Sequence, residues 1–182
     1  MHEKRFNRQI ERLRDPDRIA RLELERVVQL AMEDIKVIHT ALDVGTGSGL
    51  FAEQFSLRGL AVTGLDANPE MLPAAKLFVP SGTFKEGVAE KLPFPDRSFD
   101  LVFMGLVLHE TDDLLAALTE AHRVVIQRLA ILEWPYEEQP FGPPVEDRLS
   151  FERIATQVKK AGFANEVRAS RLENLVLYRV DG

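Results

Sequence analysis

From Val37 onward, short apolar runs alternate with stretches whose apolar residues recur every three or four positions. That alternation predicts a parallel sheet whose strands are joined by crossover helices. The runs at 37–44, 60–66, 83–87, 99–106 and 129–134 are the five expected strands. Leu50 to Leu57 predicts a helix that turns Leu50, Phe51 and Phe55 toward the sheet and closes at Arg58-Gly59. Asn68-Pro69-Glu70 opens the next helix, and Pro73 makes it start late or kink. Thr111-Asp112-Asp113 caps a helix with Leu114, Leu118, Ala121 and Val125 on one side. Ser150 caps another with Phe151, Ile154, Val158 and Ala161 on one face, ended by Gly162. Two tail segments, around Val167 and at 175–180, read as an antiparallel hairpin at the sheet edge. Ahead of all this, the first 36 residues read as helical, with Asp15 as N-cap, Pro16 at the first helical position and Leu24, Val27, Val28 and Ala31 on one apolar face.

The expected fold is therefore α/β: a doubly wound sheet, mostly parallel with an antiparallel C-terminal edge hairpin, and helices on both faces. One domain is expected over 1–182, divided into an N-terminal helical cover (1–36), a ligand-binding core (37–134), a proline-rich loop (135–149) and a C-terminal helix and hairpin (150–182). The segment Pro135 to Pro144 holds four prolines, two aromatics and a glycine. It is too long and irregular for a tight connection and reads as a functional loop or lid.

Composition narrows the function by exclusion. The chain has 182 residues, with 29 acidic against 23 basic and a formal charge of -6, which disfavours a nucleic-acid backbone as partner. No apolar run approaches the roughly 20 residues of a membrane-spanning helix, and the charged N-terminus does not resemble a signal peptide, so a cytoplasmic location is expected. There is no cysteine, hence no disulfide and no thiolate chemistry. The four histidines (His2, His39, His109, His122) show no metal-binding spacing, and no metal is expected.

The candidate chemistry centres on Ala41 to Phe55, a buried strand running into a glycine-rich turn and then a helix. Glycines at 45, 47 and 49 give the spacing GxGxG. A dinucleotide fingerprint requires GxGxxG, and Leu50 stands where its third glycine belongs. A phosphate-binding P-loop is absent as well. Asp43, at the end of the strand, would repel a pyrophosphate but suits a cationic ligand.

These residues resemble the class I S-adenosylmethionine-dependent methyltransferases, in particular the small-molecule group with type 11 methyltransferase domains. The fold implied is Rossmann-like. The resemblance runs over roughly residues 40 to 133 and rests on Asp43-Val44-Gly45-Thr46-Gly47-Ser48-Gly49, on Asp66 ending the second strand, on Ala89-Glu90-Lys91-Leu92-Pro93-Phe94, and on the stretch from Ser98 to Glu110. It implies that Asp43, Gly45, Thr46, Gly47 and Gly49 lie against the amino-acid part of the cofactor. Asp66 would hold the ribose hydroxyls, and Ala67, Met71, Ala89 and Glu90 would border the adenine. Met104, Leu106, Leu108 and His109 would stand near the transferring methyl. Val88 replaces the acid that the family places beside the adenine amino group.

The expectation is an enzyme that takes a methyl group from S-adenosylmethionine, releases S-adenosylhomocysteine, and acts on a small-molecule acceptor. His109 is the candidate base, against the alternative that it packs or caps before Thr111. Trp134 and Tyr136 would line or close the acceptor pocket, and Phe6 and His2 would belong to a cover over it. The competing functions are a cofactor-binding protein without transfer activity and, more remotely, a dinucleotide-dependent oxidoreductase. The acceptor and the oligomeric state have no signature in the sequence.

Overall fold

The computed structural model describes residues 10–182; His2 and Phe6, expected in a cover over the site, lie outside the described residues. Three short helices, α1 (Ile10–Leu13), α2 (Pro16–Leu22) and α3 (Leu24–Met32), begin the described chain. Asp15 caps α2 by accepting from the Arg18 amide at 3.1 Å. The single predicted helical run is broken at Glu23, whose φ of 47° is left-handed, so α3 restarts in a new direction with Val27, Val28 and Ala31 buried.

The first strand, β1 (Thr40–Val44), starts three residues later than its apolar run. The reason is local: the Asp100 carboxylate accepts from the amides of His39 and Thr40 and from the Thr40 hydroxyl, so the chain enters the sheet there. Next come α4 (Leu50–Leu57), β2 (Ala61–Asp66) and α5 (Leu72–Phe78). Asn68 accepts from the Glu70 amide and a 3-10 turn at Pro69–Met71 precedes α5, so Pro73 falls in the helix's first turn, where its missing N–H costs nothing. Then follow β3 (Thr83–Glu86), β4 (Phe99–Gly105), α6 (Leu114–Val124) and β5 (Val125–Glu133). Val125 therefore opens a strand rather than completing the helix face; Ala117, Leu118, Ala121 and Val124 form that face instead. Helix α7 (Phe151–Lys160), capped by Ser150, leads to the hairpin β6 (Arg168–Arg171) and β7 (Val176–Asp181).

The strand order is β3-β2-β1-β4-β5-β7-β6. β1 to β5 are parallel, while β7 pairs antiparallel with both β5 and β6. Residues alternate between two cores. Leu42, Val44, Val102, Met104, Leu129 and Ile131 face α6 and α7, and Ala41, Leu101, Phe103, Ala130 and Leu132 face α3 and α4. The chain runs outward through β2 and β3, then returns to β4 on the other side of β1, which places a topological switch at the carboxyl ends of β1 and β4.

The cover is fastened at the opposite end of the sheet. Arg128 in β5, almost wholly buried, donates to the carbonyls of Ala31 and Glu33 and pairs with Asp181, and Arg179 in β7 donates to the Leu30 carbonyl and the Glu33 carboxylate. Two arginines thus bind carbonyls at the end of α3, where the negative end of the helix dipole lies.

Phe103 is fully buried between Phe51 and Phe55, with ring centroids 4.7 and 5.3 Å away. It joins β4 to the helix that leaves the glycine turn. Truncation of Phe103 to Ala is expected to destabilise the fold by about 3–5 kcal/mol, read as a lower urea midpoint at an unchanged slope.

Candidate functional site

The glycine turn is tied to the end of the neighbouring strand by its own amides. The N–H groups of Gly45 and Thr46 both donate to the Leu65 carbonyl, at 2.8 and 2.9 Å, and the Gly47 N–H donates to Asp66 Oδ2 at 2.7 Å. Gly45 and Gly49 have φ of 73° and 78°. A Cβ on Gly45 would come within 2.6 Å of Val107, and one on Gly49 within 3.0 Å of the Ala75 backbone. Both positions exclude a side chain on conformation and on space.

Beneath this turn Asp43 is buried and accepts from the Thr46 hydroxyl at 2.7 Å. Burial pushes its carboxyl up to about 7, with Thr46 and the Ala52 amide acting against the rise and Asp66 adding to it. Asp66 is also raised by burial, opposed by the amides of Asn68 and Gly47. Its two oxygens each hold one amide, at 2.8 and 2.7 Å, and each keeps a further lone pair for a ligand hydroxyl.

These groups rim a cavity of about 770 Å³ over the switch point. Gly45, Thr46, Gly47, Asp66, Ala67, Met71, Ala89, Glu90, Leu106 and His109 line it. Asp43 and Gly49 support the turn from below without lining the cavity, and Met104 and Leu108 are buried in the core against α6 rather than at the cavity wall. The alternation of β4 accounts for Met104: it shares the face of Val102, while Phe103 takes the face of the cover. Leu106 takes the wall position, at a left-handed φ of 56° stabilised by its N–H to the Leu132 carbonyl. The Glu90 carboxylate accepts from the amides of Asp112 and Asp113, at 2.8 and 3.4 Å, so it braces the approach to α6 as well as bordering the cavity.

His109 lies on the 3-10 turn after β4, and its side chain is 8% exposed. Its Nδ1 is 2.7 Å from Glu133 Oε2, and its backbone N–H donates to Glu133 Oε1 at 3.1 Å. Glu133 ends β5 and is 1% exposed. The Nδ1 contact turns one edge of the ring toward β5, and Nε2 lies 3.8 Å from a carboxylate oxygen of Glu110, which lines the cavity beside it. The Glu133 partnership was not anticipated from the sequence. The signal was there: a glutamate closing the apolar run from Leu129, beside the strand that leads to His109.

Past Glu133, the chain carries Trp134 into the cavity wall and then folds as a loop around Arg148. That guanidinium is 3% exposed and donates to the carbonyls of Pro135, Glu137, Phe141 and Pro143 and to the Gln139 side chain. The fixed loop presents Phe141, Gly142, Pro143 and Pro144 to the cavity, while Tyr136 remains exposed and does not line it. From the cover, Leu13, Arg18, Arg21 and Leu22 complete the wall. Arg14 clamps the cover to the turn by donating to the Ser48 carbonyl and pairing with Glu53 at 2.9 Å, its guanidinium stacked on Phe78.

A glycine turn, a carboxylate at the end of the second strand and a cavity at the switch point define a Rossmann-like site for a nucleoside ligand with an amino-acid-like end. Residues 42–128 match the family described as methyltransferase domain, and the chain is similar to S-adenosylmethionine-dependent methyltransferases. It is 46% identical over 85 residues to a demethylmenaquinone methyltransferase of Chlorobaculum tepidum, a match covering 46% of this chain and 35% of that protein. It is 41% identical over 83 residues to a malonyl-[acyl-carrier protein] O-methyltransferase of Erwinia billingiae, covering 46% and 33%. The chain thus spans about a third of the length of these relatives. Among solved structures, a SAM-dependent methyltransferase of Aquifex aeolicus superposes with a TM-score of 0.77 at 27% identity, over 94% of this chain and 96% of that one. No helix among the described residues is long and apolar enough to cross a membrane.

The raised Asp43 carboxyl has a consequence for stability. Because the folded state binds this proton more tightly than the unfolded chain, its contribution is fully present below the ordinary value of 3.8 and is lost as pH rises to about 7. Against the Asp43→Asn variant, which keeps an acceptor for Thr46 and does not titrate, the protein is expected to lose on the order of 4 kcal/mol across that window. Denaturant unfolding of both proteins between pH 4 and 8 measures the gap; a gap independent of pH would show that burial does not hold this proton.

Proposed function

We propose that the protein is a cytoplasmic enzyme of one methyltransferase domain that moves the sulfonium methyl of S-adenosylmethionine onto a small-molecule acceptor, releasing S-adenosylhomocysteine. The observation that carries the reading is the pairing of the glycine turn with Asp66 through the Gly47 amide, which fixes an amino-acid end and a ribose end at one spacing. In this reading Gly45, Thr46, Gly47 and Gly49 shape the seat of the methionine part, with Asp43 beneath bracing the turn by accepting from the Thr46 hydroxyl. Arg18 suits the methionine carboxylate. It donates to the carbonyl of Leu13, whose side chain lies 3.6 Å from where a Cβ on Gly47 would stand. Asp66 accepts the ribose hydroxyls, and Ala67, Met71, Val88, Ala89 and Glu90 border the base. With Val88 apolar and Glu90 shared with two amides of the α6 approach, adenine is held mainly by shape and backbone.

Methyl transfer from a sulfonium is an in-line displacement. The acceptor's lone pair forms the new bond to the methyl carbon, the carbon–sulfur pair returns to sulfur, and the leaving thioether departs neutral. The protein's main task is alignment. His109 takes the acceptor's proton at Nε2, and the Glu133 carboxylate holds the ring's tautomer and stabilises the imidazolium that results. The demethylmenaquinone and malonyl-carrier relatives act on different acceptors; their names support the transfer of a methyl group and leave the acceptor open.

Calorimetry is the first test: S-adenosylmethionine and S-adenosylhomocysteine should bind and NAD should not. Asp66→Asn should weaken both by about 1.5–3 kcal/mol, the scale of a hydrogen bond to a charged group. Binding of NAD alone would replace this reading with an oxidoreductase. Binding without S-adenosylhomocysteine formation across an acceptor screen would leave a cofactor-binding protein. With an acceptor in hand, His109→Ala is expected to cut turnover by about 10²–10⁴-fold while retaining affinity for S-adenosylhomocysteine.

A further inference from the structure

The cavity has two unlike halves. Over β1 and β2 it carries the glycine turn and Asp66; over β4 and β5 it carries His109, Trp134 and Phe141, with Pro143 and Pro144 behind them. Arg21 stands at the second half. Arg21 lies half-buried on the cavity wall, its guanidinium carbon 5.5 Å from the centre of the Phe141 ring. Most of the arginines that reach into the fold have a defined counter-group: Arg14 has Glu53, Arg128 has Asp181, Arg179 has Glu33, and Arg148 has its ring of carbonyls. Among the described residues Arg21 has no carboxylate partner. Nor is it placed as a clamp, since its contact is the ring of a residue in the loop held by Arg148.

A guanidinium kept at an aromatic wall, with no ion pair among the described residues and partly shielded from water, is a fork awaiting an oxyanion. We propose that the methyl acceptor is an anion with a flat apolar body, its carboxylate or phosphate paired with Arg21 and its body lying against Trp134 and Phe141, so that its nucleophilic atom falls between the sulfonium and His109. This rests on the methyltransferase reading and adds the substrate class to it. The two arginines of α2 then divide the work, Arg18 toward the cofactor and Arg21 toward the acceptor.

The test uses the whole chain saturated with S-adenosylhomocysteine, whose binding is measured first and tests the methyltransferase reading by itself. Matched probes are then titrated calorimetrically: 4-hydroxybenzoate against 4-hydroxybenzamide, and phenyl phosphate against phenol. The expected result is that at least one anion binds tenfold or more tighter than its neutral partner. The preference should fall to less than threefold in Arg21→Gln, should be partly kept in Arg21→Lys, and should leave S-adenosylhomocysteine affinity unchanged in both variants. Which anion is preferred distinguishes a carboxylate acceptor from a phosphate. Equal binding of charged and neutral members, or binding of none of them, would overturn the inference. Loss of S-adenosylhomocysteine affinity in Arg21→Gln would also overturn it, because Arg21 would then belong to the cofactor. A failure of S-adenosylhomocysteine to bind the unaltered protein would instead remove the methyltransferase reading.

Discussion

The site depends on the way the turn after β1 is suspended from the end of β2. Three successive amides, those of Gly45, Thr46 and Gly47, find their acceptors in the Leu65 carbonyl and the Asp66 carboxylate. A turn with left-handed glycines leaves such donors pointing out of the chain, and buried donors without partners are costly. The parallel register that pairs Val44 with Leu65 supplies the acceptors. The glycines and Asp66 are therefore one device. The sheet register sets their spacing, and a ligand held by both reads a distance that neither segment could fix alone.

The opposite wall is built on a different economy. Glu133 is the last residue of β5, and a carboxylate at 1% exposure is tolerated because the His109 ring and backbone N–H both reach it. Directly after it the chain wraps Arg148, whose donors take four carbonyls of the loop. A proline-rich segment has few amides with which to form structure of its own, so a buried guanidinium with five N–H groups can organise it where a helix or hairpin cannot. This arrangement makes the Trp134 and Phe141 wall a fixed surface.

Much of the fold was legible along the chain because its signals are local. Caps at Asp15, Asn68, Asp113 and Ser150, the stop at Gly59, and the alternation of apolar runs with helical faces all act within a few residues. What escaped was set by distant partners. β1 starts at Thr40 because Asp100, 60 residues away, captures its amides. The left-handed break at Glu23 had no glycine to announce it. At the site, the glycines, Asp66 and His109 were readable from motif and position. Met104 was assigned to the wall by its place in the motif, but the period-two alternation of β4 directs it into the α6 core. Glu133, Arg14 and Arg148 matter through contacts spanning 24, 34 and up to 13 residues; only Glu133, closing an apolar run, has a local mark in the sequence.

The electrostatics of the two walls suit a reaction that destroys charge. A sulfonium carries a full positive charge that vanishes when the methyl leaves, and a deprotonated acceptor gives up its negative charge in the same step. Water stabilises the separated charges better than the dispersed transition state, so apolar surface around the reacting atoms lowers the barrier. Leu22, Phe51, Leu106, Val107 and Trp134 supply that surface on the cavity wall. Full carboxylates at contact with the sulfonium would hold the ground state back. The acids around the cavity are engaged by the protein: Asp43 sits under the turn with its proton held to about 7, Asp66 and Glu90 each hold two amides, and Glu110 lies 3.8 Å from His109 Nε2. Glu133, in contact with the proposed base, acts on the proton that His109 gains when the acceptor is deprotonated, so the acceptor meets the sulfonium as an anion and their charges cancel in the transfer.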